Sequence, residues 1–268
     1  MKRSIDGINI HYIIEGQGQP VVLLHGLCLD LNFMKINYSQ FLNCEKYQQI
    51  YIDLPGMGKS DSFSDPHPSS DYLVELIIKL IDTLNIDKFY ICGHSYGGYL
   101  ALGIAYKISA RVKGLFLSCP VVTANSKKRI TEKHLRTKQK MFSSHASSKY
   151  IADFLKMNIV INGLTWKKYL AEIVVGLEKC NFNFIKELQD NNFKYYELAD
   201  EPKIKEWHTE IPTFFILGKH DHDVGYKEQS ALESNFKKSN LVVLKDAGHN
   251  LPIDQGNIFS ACVKTFFS

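Results

Sequence analysis

Short apolar runs alternate with amphipathic segments along most of this chain, and this alternation limits the folds that it can adopt. Six runs have too little internal alternation to leave one face in water, which is typical of parallel strands covered on both faces. They are Val21–Leu24, Ile50–Ile52, Phe89–Cys92, Leu115–Leu117, Thr213–Leu217 and Leu241–Leu244. Between them lie segments with apolar residues at helical spacing, most clearly from Tyr72 to Leu84. Strands that alternate with helices predict a doubly wound α/β sheet.

The segment from Ala124 to Trp207 departs from this alternation. Apolar residues recur there at helical spacing, as in 150–155 and 166–173, but no convincing sheet strand is present. We therefore predict a helical insertion over residues 124–207. It would interrupt one core domain made of residues 1–123 and 208–268.

The composition is that of a globular protein and excludes several classes. Of the 268 residues, 45% are hydrophobic and 22% are charged, which excludes an intrinsically disordered chain. The net charge is only +4, and no basic stripe with a reading motif points to nucleic acid. No apolar run approaches the roughly 20 residues of a membrane span, and none follows the basic start as in a secretory signal. The six cysteines lack C-x-x-C spacing, so we expect no metal site and a reduced, cytoplasmic protein.

The segment from Phe89 to Ala101 carries the pattern G-x-S-x-G between a predicted strand and a predicted helix. Ser95 lies at the centre, with Gly93 and Gly97 two residues away on either side. A serine nucleophile needs such a sharp strand-to-helix turn because the turn exposes its hydroxyl, and glycines leave room for it. The pattern alone is weak, but its context favours a nucleophile elbow over a plain glycine-rich turn.

A serine nucleophile needs a base, and His249 is the best placed of the ten histidines. It follows the predicted strand 241–244, at the sheet edge where catalytic groups of open α/β sheets collect. A histidine there can act as general base and then as general acid. The carboxylate that orients it should follow another strand, and both Asp221 and Asp223 follow the strand 213–217.

The first buried strand ends in His25-Gly26-Leu27-Cys28, where a turn points backbone amides toward the same edge. Such amides can stabilise the oxyanion of a tetrahedral intermediate. A second donor would be the amide of Tyr96, directly after the serine. His25 could be mistaken for a base, but we expect it to brace the loop.

These motifs together resemble those of the α/β-hydrolase-fold superfamily, in particular its single-domain esterases and carbon–carbon hydrolases. The resemblance covers nearly the whole chain outside the insertion. The matching segments are His25-Gly26 (oxyanion loop), Asp53–Ser60 (D-x-P-G-x-G-x-S), Gly93–Gly97 (nucleophile elbow), Gly218–Asp221 (G-x-x-D acid turn) and Gly248-His249 (histidine loop).

The resemblance implies a mostly parallel eight-stranded sheet flanked by helices, with a helical cap at 124–207. It favours Asp221 over Asp223 as the acid. Relatives with an aspartate nucleophile are excluded, because Ser95 stands at that position.

The resemblance implies a serine hydrolase that acts on a small ester, thioester or related carbonyl compound. Ser95 would attack, His249 would relay the proton, Asp221 would orient it, and the amides of Leu27 and Tyr96 would hold the oxyanion. No metal or organic cofactor is implied, and the expected partner is a small-molecule substrate. Acyl transfer, carbon–carbon cleavage and a ligand receptor that retains the triad remain open, as do the substrate and the oligomeric state.

Residues 127–140 carry seven basic side chains against one acidic side chain. One interpretation is an ordinary solvated helix face. The other is a surface that attracts anionic substrates or an acidic membrane.

Overall fold

The structure is a computed structural model that describes residues 1–136 and 149–268, together with the backbone of residues 138–139. Within this part of the chain, eight strands form one sheet in the order β1-β2-β4-β3-β5-β6-β9-β10, while β7 and β8 pair only with each other. The strands are β1 (Lys2–Ile5), β2 (Ile8–Glu15), β3 (Gln19–Leu24), β4 (Tyr47–Ile52), β5 (Phe89–His94), β6 (Val112–Ser118), β7 (Lys138–Gln139), β8 (Val160–Ile161), β9 (Thr213–Gly218) and β10 (Ser239–Leu244).

The predicted doubly wound, mostly parallel sheet is confirmed. Each of the six apolar runs lies in a strand, and β4, β3, β5, β6, β9 and β10 are parallel neighbours. β1 and β2 are antiparallel additions at one edge, and β2 pairs antiparallel with β4. The central strands are covered on both faces, as their continuous apolar sequences require.

Helices outside residues 124–207 cover the sheet. They are α1 (Leu31–Tyr38), α2 (Ser70–Thr83), α3 (Tyr96–Lys107), α10 (Lys227–Glu233), α11 (Leu251–Asp254) and α12 (Gly256–Phe266). The helix predicted from Tyr72 to Leu84 is α2. The side chain of Ser69 caps it by accepting a hydrogen bond from the Tyr72 amide.

Residues 124–207 contain short helices and no strand of the eight-stranded sheet in their described part. The helices are α4 (Ile151–Met157), α5 (Gly163–Tyr169), α6 (Val175–Leu177), α7 (Phe182–Leu188), the turn α8 (Asp190–Phe193) and α9 (Glu201–Lys205). A π-helical turn, Leu170–Val174, joins α5 to α6. The division into core and cap at these boundaries stays a prediction.

The sheet topology brings several loops to one edge. Gly26 and Leu27 follow β3, Ser95 follows β5, Asp221 follows β9 and His249 follows β10. These strands are parallel, so all four loops leave from the same, carboxyl-terminal edge. In the described residues, no helix is long and apolar enough to cross a membrane.

Candidate active site

Ser95 occupies a strained turn between β5 and α3. Its backbone has φ 52° and ψ −118°, a region that non-glycine residues rarely adopt. The turn also depends on close backbone contacts, since a Cβ on Gly97 would lie 2.2 Å from the carbonyl oxygen of Leu24. A Cβ on Gly93 would lie 2.5 Å from the carbonyl oxygen of Gly97. The glycines therefore permit the packing that holds the serine hydroxyl at the sheet edge.

Three side chains form a continuous hydrogen-bonded chain. Nε2 of His249 lies 2.9 Å from Oγ of Ser95, and Nδ1 lies 2.8 Å from Oδ2 of Asp221. The other carboxylate oxygen of Asp221 accepts hydrogen bonds from the backbone amides of Asp223 and Val224, each at 2.9 Å. The side chains of Ser95, His249 and Asp221 are all buried. The Asp221 carboxylate is thus fixed by its own loop and oriented at the imidazole.

The electrostatics of this group favour a charged imidazole. Burial by itself lowers the pKa of His249, but the carboxylates of Asp221 and Asp223 outweigh it and raise that pKa to about 9. Burial raises the pKa of Asp221, but His249 and the two backbone amides outweigh this effect and hold that pKa below its usual value. The arrangement therefore stabilises an imidazolium beside Ser95.

The two aspartates proposed from the sequence occupy different sides of the imidazole. Asp221 contacts Nδ1, whereas Oδ2 of Asp223 lies 3.6 Å from Nε2, on the side that faces Ser95. The guanidinium of Arg129 also lies near Asp223, with Nη1 3.7 Å from Oδ1. Asp221 therefore contacts the ring nitrogen that points away from Ser95, and Asp223 borders the cavities beside Ser95.

The loop after β3 lies directly against Ser95. A Cβ on Gly26 would lie 3.2 Å from Cβ of Ser95. The Leu27 amide has no hydrogen-bond partner among the described residues, and Leu27 lines the cavity next to Ser95. Tyr96 is the first residue of α3, where backbone amides have no partner within the helix. Both amides are thus available at this edge.

His25 contacts the backbone of its own loop and of the next one. Its Nε2 accepts a hydrogen bond of 3.0 Å from the Leu54 amide, so Nδ1 carries the proton and donates to the Gly26 carbonyl at 2.7 Å. Burial lowers the pKa of His25, in keeping with a neutral ring. These contacts are those of a bracing residue and leave His249 as the histidine that contacts Ser95.

Residues 19–255 match the family model of the alpha/beta hydrolase fold. The chain belongs to this family. A hydrolase of the alpha/beta superfamily from Oenococcus oeni PSU-1 is similar in structure, with a TM-score of 0.90 and 38% identity over 96% of this chain and 94% of that one. An esterase from Exiguobacterium antarcticum shares the fold, with a TM-score of 0.69 and 20% identity over 99% and 98% of the two chains.

A curated relative of this α/β hydrolase is the 2-hydroxy-6-oxononadienedioate/2-hydroxy-6-oxononatrienedioate hydrolase of Escherichia coli K12. It is 26% identical over 282 aligned residues, which cover 97% of this chain and 91% of the relative. The similarity thus extends over essentially the whole of both proteins.

Two cavities meet at Ser95 in this α/β hydrolase. The first, of about 230 Å³, reaches from Ser95 and His249 to an apolar wall. That wall is contributed by residues 124–207 and consists of Met157, Ile173 and Leu177. The second, of about 250 Å³, lies on the side of Arg129 and Tyr196. Leu27, Ser95 and Asp223 border both cavities, so the hydroxyl lies at their junction.

One group of possible metal ligands occurs among the described residues, formed by Cys119, Asp221 and His249. Both ring nitrogens of His249 are already hydrogen-bonded, and burial raises the pKa of the Cys119 thiol well above its usual value. A neutral thiol is a poor metal ligand. Asp221 and His249 are thus engaged with each other, and Cys119 lies beside the pair.

Sequence reasoning missed Asp254, a buried carboxylate next to the histidine loop. It accepts hydrogen bonds from the backbone amides of Gly248 (3.0 Å), Ile159 (3.1 Å) and Val160 (3.0 Å). It thereby ties the residue before His249 to β8, within the segment 124–207. Its position five residues after His249 was the only available signal, because two of its partners, Ile159 and Val160, lie more than ninety residues away along the chain.

Proposed function

We propose that this protein is a serine hydrolase that cleaves small carboxylic esters through an acyl-enzyme. The observation that carries the proposal is the hydrogen-bonded series Asp221–His249–Ser95, with the serine on a positive-φ turn at the junction of two cavities. The same residue types in the same contacts perform acyl transfer on unrelated folds.

In the proposed reaction, Oγ of Ser95 attacks the ester carbonyl while Nε2 of His249 takes the hydroxyl proton. The Asp221 carboxylate stabilises the imidazolium, and the amides of Leu27 and Tyr96 stabilise the tetrahedral oxyanion. The C–O bond to the alcohol then breaks, and His249 returns the proton to the departing oxygen. Water, deprotonated by His249, attacks the acyl group on Ser95 in the same way and releases the carboxylic acid. No metal or organic cofactor takes part in this scheme.

We further propose that residues 124–207 form a cap over the core of residues 1–123 and 208–268. Support comes from Met157, Ile173 and Leu177, which supply the apolar wall opposite Ser95. An apolar wall beside the nucleophile suits a short acyl chain, since burying its methylene groups contributes about 0.8 kcal/mol each.

Carbon–carbon bond hydrolysis is the second candidate, and the similarity to the Escherichia coli protein favours it. The named substrates of that relative are dioates, which carry two carboxylates. In the present cavity, Asp153 and Asp223 line the space beside Ser95, and no lysine or arginine does so among the described lining residues of the first cavity. This charge distribution opposes a dianionic substrate and leads us to prefer the ester.

Turnover of p-nitrophenyl acetate and p-nitrophenyl butyrate tests the proposal. We expect repeated turnover by the wild type, a loss of at least about 10³-fold in kcat for Ser95→Ala, and wild-type rates for Ser4→Ala, which alters an exposed serine of β1. Unchanged turnover in Ser95→Ala would refute the nucleophile. Turnover of a vinylogous 1,5-diketone dioate, with none of either ester, would move the assignment to carbon–carbon cleavage. Binding without turnover would indicate a receptor.

A further inference from the structure

The cavity next to Ser95 contains two carboxylates that the proposed reaction does not use. Asp153, on α4, lies among the residues of the first cavity, and Asp223 borders both cavities. The first cavity has no lysine or arginine in the described part of its lining. A molecule with a formal net charge of +4 thus presents a locally negative surface to its nucleophile.

Asp223 lines both cavities close to the Ser95 hydroxyl. Its Oδ2 is 3.6 Å from Nε2 of His249, the nitrogen that contacts Ser95. A carbonyl group that reaches Oγ of Ser95 therefore comes within a few ångströms of this carboxylate. The Asp223 side chain is 46% exposed, so the effective dielectric constant of about 20 for charges near a protein surface applies; a single charge pair at such distances still changes binding by a factor of about ten.

Arg129 offsets Asp223 only in part. Its side chain is 6% exposed, and its nitrogens donate to the backbone carbonyls of Thr123, Ala124 and Asp223 at 2.9, 3.1 and 3.3 Å. The guanidinium is thus held by the backbone at the start of the segment 124–207, and its contact with the Asp223 carboxylate is long, at 3.7 Å. A substrate carboxylate would have to compete for it with that same aspartate.

Asp153 extends the negative surface outward. Its carboxylate accepts a hydrogen bond from the Tyr169 hydroxyl, which fixes it beside the apolar wall. It also borders an adjoining cavity of about 560 Å³ that contains Glu178 and one lysine, Lys149. The ammonium of Lys149 lies 4.8 Å from the centre of the Tyr150 ring. Among the described lining residues of the three cavities at and next to Ser95, three carboxylates (Asp153, Glu178 and Asp223) thus accompany two cations, Lys149 and Arg129.

The exposed basic residues do not reverse this balance. Lys127 and Lys128 are exposed and line none of the cavities at Ser95. Lys140 and the side chain of Lys138 lie outside the described residues. Charges of the same solvent exposure are screened over about 8 Å at physiological salt, so the lysines outside the cavities act on a bound ligand less than Asp223 and the half-buried Asp153, which line the cavity itself.

We propose that the Ser95 cavity accepts neutral and cationic acyl substrates and rejects anionic ones, with Asp223 and Asp153 as the residues that determine this specificity. The inference rests on the proposed function for its substrate class, acyl esters. In this proposal, Ser95 is the reacting group, and the two aspartates determine which substrate charge the cavity admits.

The test compares three p-nitrophenyl esters whose acyl chains have equal length and end in a methyl, a trimethylammonium or a carboxylate group. Values of kcat/KM are measured for the wild type, Asp223→Asn, Asp153→Asn and the control Asp87→Asn, which alters an exposed aspartate at the opposite, amino-terminal edge of β5. Each variant is compared with the wild type on the same ester, so differences in intrinsic reactivity between the esters cancel. Asp153→Asn removes a carboxylate that does not contact His249, which separates specificity from any effect on the base.

We expect the ratio of cationic to anionic kcat/KM to fall by about tenfold in each site variant and to stay unchanged in Asp87→Asn. Equal ratios in the wild type and both site variants would overturn the proposal. Binding of the matching methyl ketones to Ser95→Ala, measured by calorimetry, gives a readout that needs no turnover. If no ester is hydrolysed but the cationic ketone binds about tenfold more tightly than the anionic one, the proposed function fails while the charge selection stands. Equal affinities would refute the selection itself.

Discussion

At the scale of single residues, the two aspartates near His249 occupy different positions, and we propose separate roles for them. Asp221 contacts Nδ1 of the imidazole, and Asp223 lies on the opposite side of the ring. We predict that Asp221→Asn lowers kcat by up to about 10⁴-fold with little change in KM, because His249 loses its orienting partner. Asp223→Asn should cost far less. Steady-state kinetics on p-nitrophenyl butyrate measure both, and a larger loss in Asp223→Asn would transfer the orienting role to that residue.

The pKa of His249 predicts the pH dependence of the reaction. A general base must be neutral, and the pKa is raised to about 9, against the effect of burial, by Asp221 and Asp223. We therefore expect kcat/KM to rise with pH up to about 9.

Asp223→Asn removes a negative charge that stabilises the imidazolium of His249, so the rising limb of this pH profile should move to lower pH. Other charged or titratable groups that act on this ring are Asp221, Arg129, His94 and His222. A pH–rate profile that is the same in both proteins would contradict this electrostatic role of Asp223.

The sequence identifies the residues at the sheet edge because their motifs are local. The pattern of Gly93, Ser95 and Gly97 indicates a sharp turn within five residues. Asp221 and His249 each lie a few residues after an apolar strand. Their position after the strand leaves Asp221 and Asp223 open, and only the G-x-x-D spacing of the resembled family favours Asp221; the physical basis of the choice is not local. It depends on which carboxylate the backbone amides of Asp223 and Val224 hold against the imidazole.

At the scale of elements, Asp254 connects α11 with β8. Burial raises the pKa of its carboxyl to about 6, although the surrounding backbone amides favour the charged form. We predict that Asp254→Ala lowers the free energy of unfolding by about 3 kcal/mol, because it leaves buried amides without partners. It should also lower kcat, since Gly248 precedes His249. Urea unfolding and steady-state kinetics measure these effects.

Two comparisons control this prediction. Asp87→Ala, at an exposed aspartate, should change stability by less than about 0.5 kcal/mol. Asp254→Asn, which keeps the shape and one acceptor oxygen, should lie between the wild type and Asp254→Ala. A loss for Asp254→Ala no larger than that of the exposed control would mean that the amides of Ile159, Val160 and Gly248 do not depend on this carboxylate.

Apolar periodicity predicts the elements well where burial determines them. All six uninterrupted runs are strands, because only the centre of a parallel sheet excludes water from both faces. The pair β7 and β8 and the π-helical turn 170–174 have no comparable signal. They depend on contacts between distant segments, as the parallel pairing of Lys138 with Val160 shows.

At the scale of the whole molecule, net charge and local charge have opposite signs. The chain carries a formal charge of +4, yet Asp153 and Asp223 dominate the first cavity. Composition cannot reveal this difference, because the fold brings together side chains from α4 and from the loop after β9. The basic residues at 127–140 left two interpretations open, a solvated face or attraction of anionic substrates or an acidic membrane, and both stay predictions; our proposal of charge selection rests on the cavity lining instead.

The central claim is that Ser95 is the nucleophile activated by His249. A fluorophosphonate probe tests it most directly, because the probe bonds to an activated serine and mass spectrometry of the digested protein locates the adduct. The account predicts one adduct per chain, on the peptide that contains Ser95. It also predicts none in Ser95→Ala and normal labelling in Ser4→Ala. An adduct on another serine, or equal labelling of Ser95→Ala and the wild type, would contradict it.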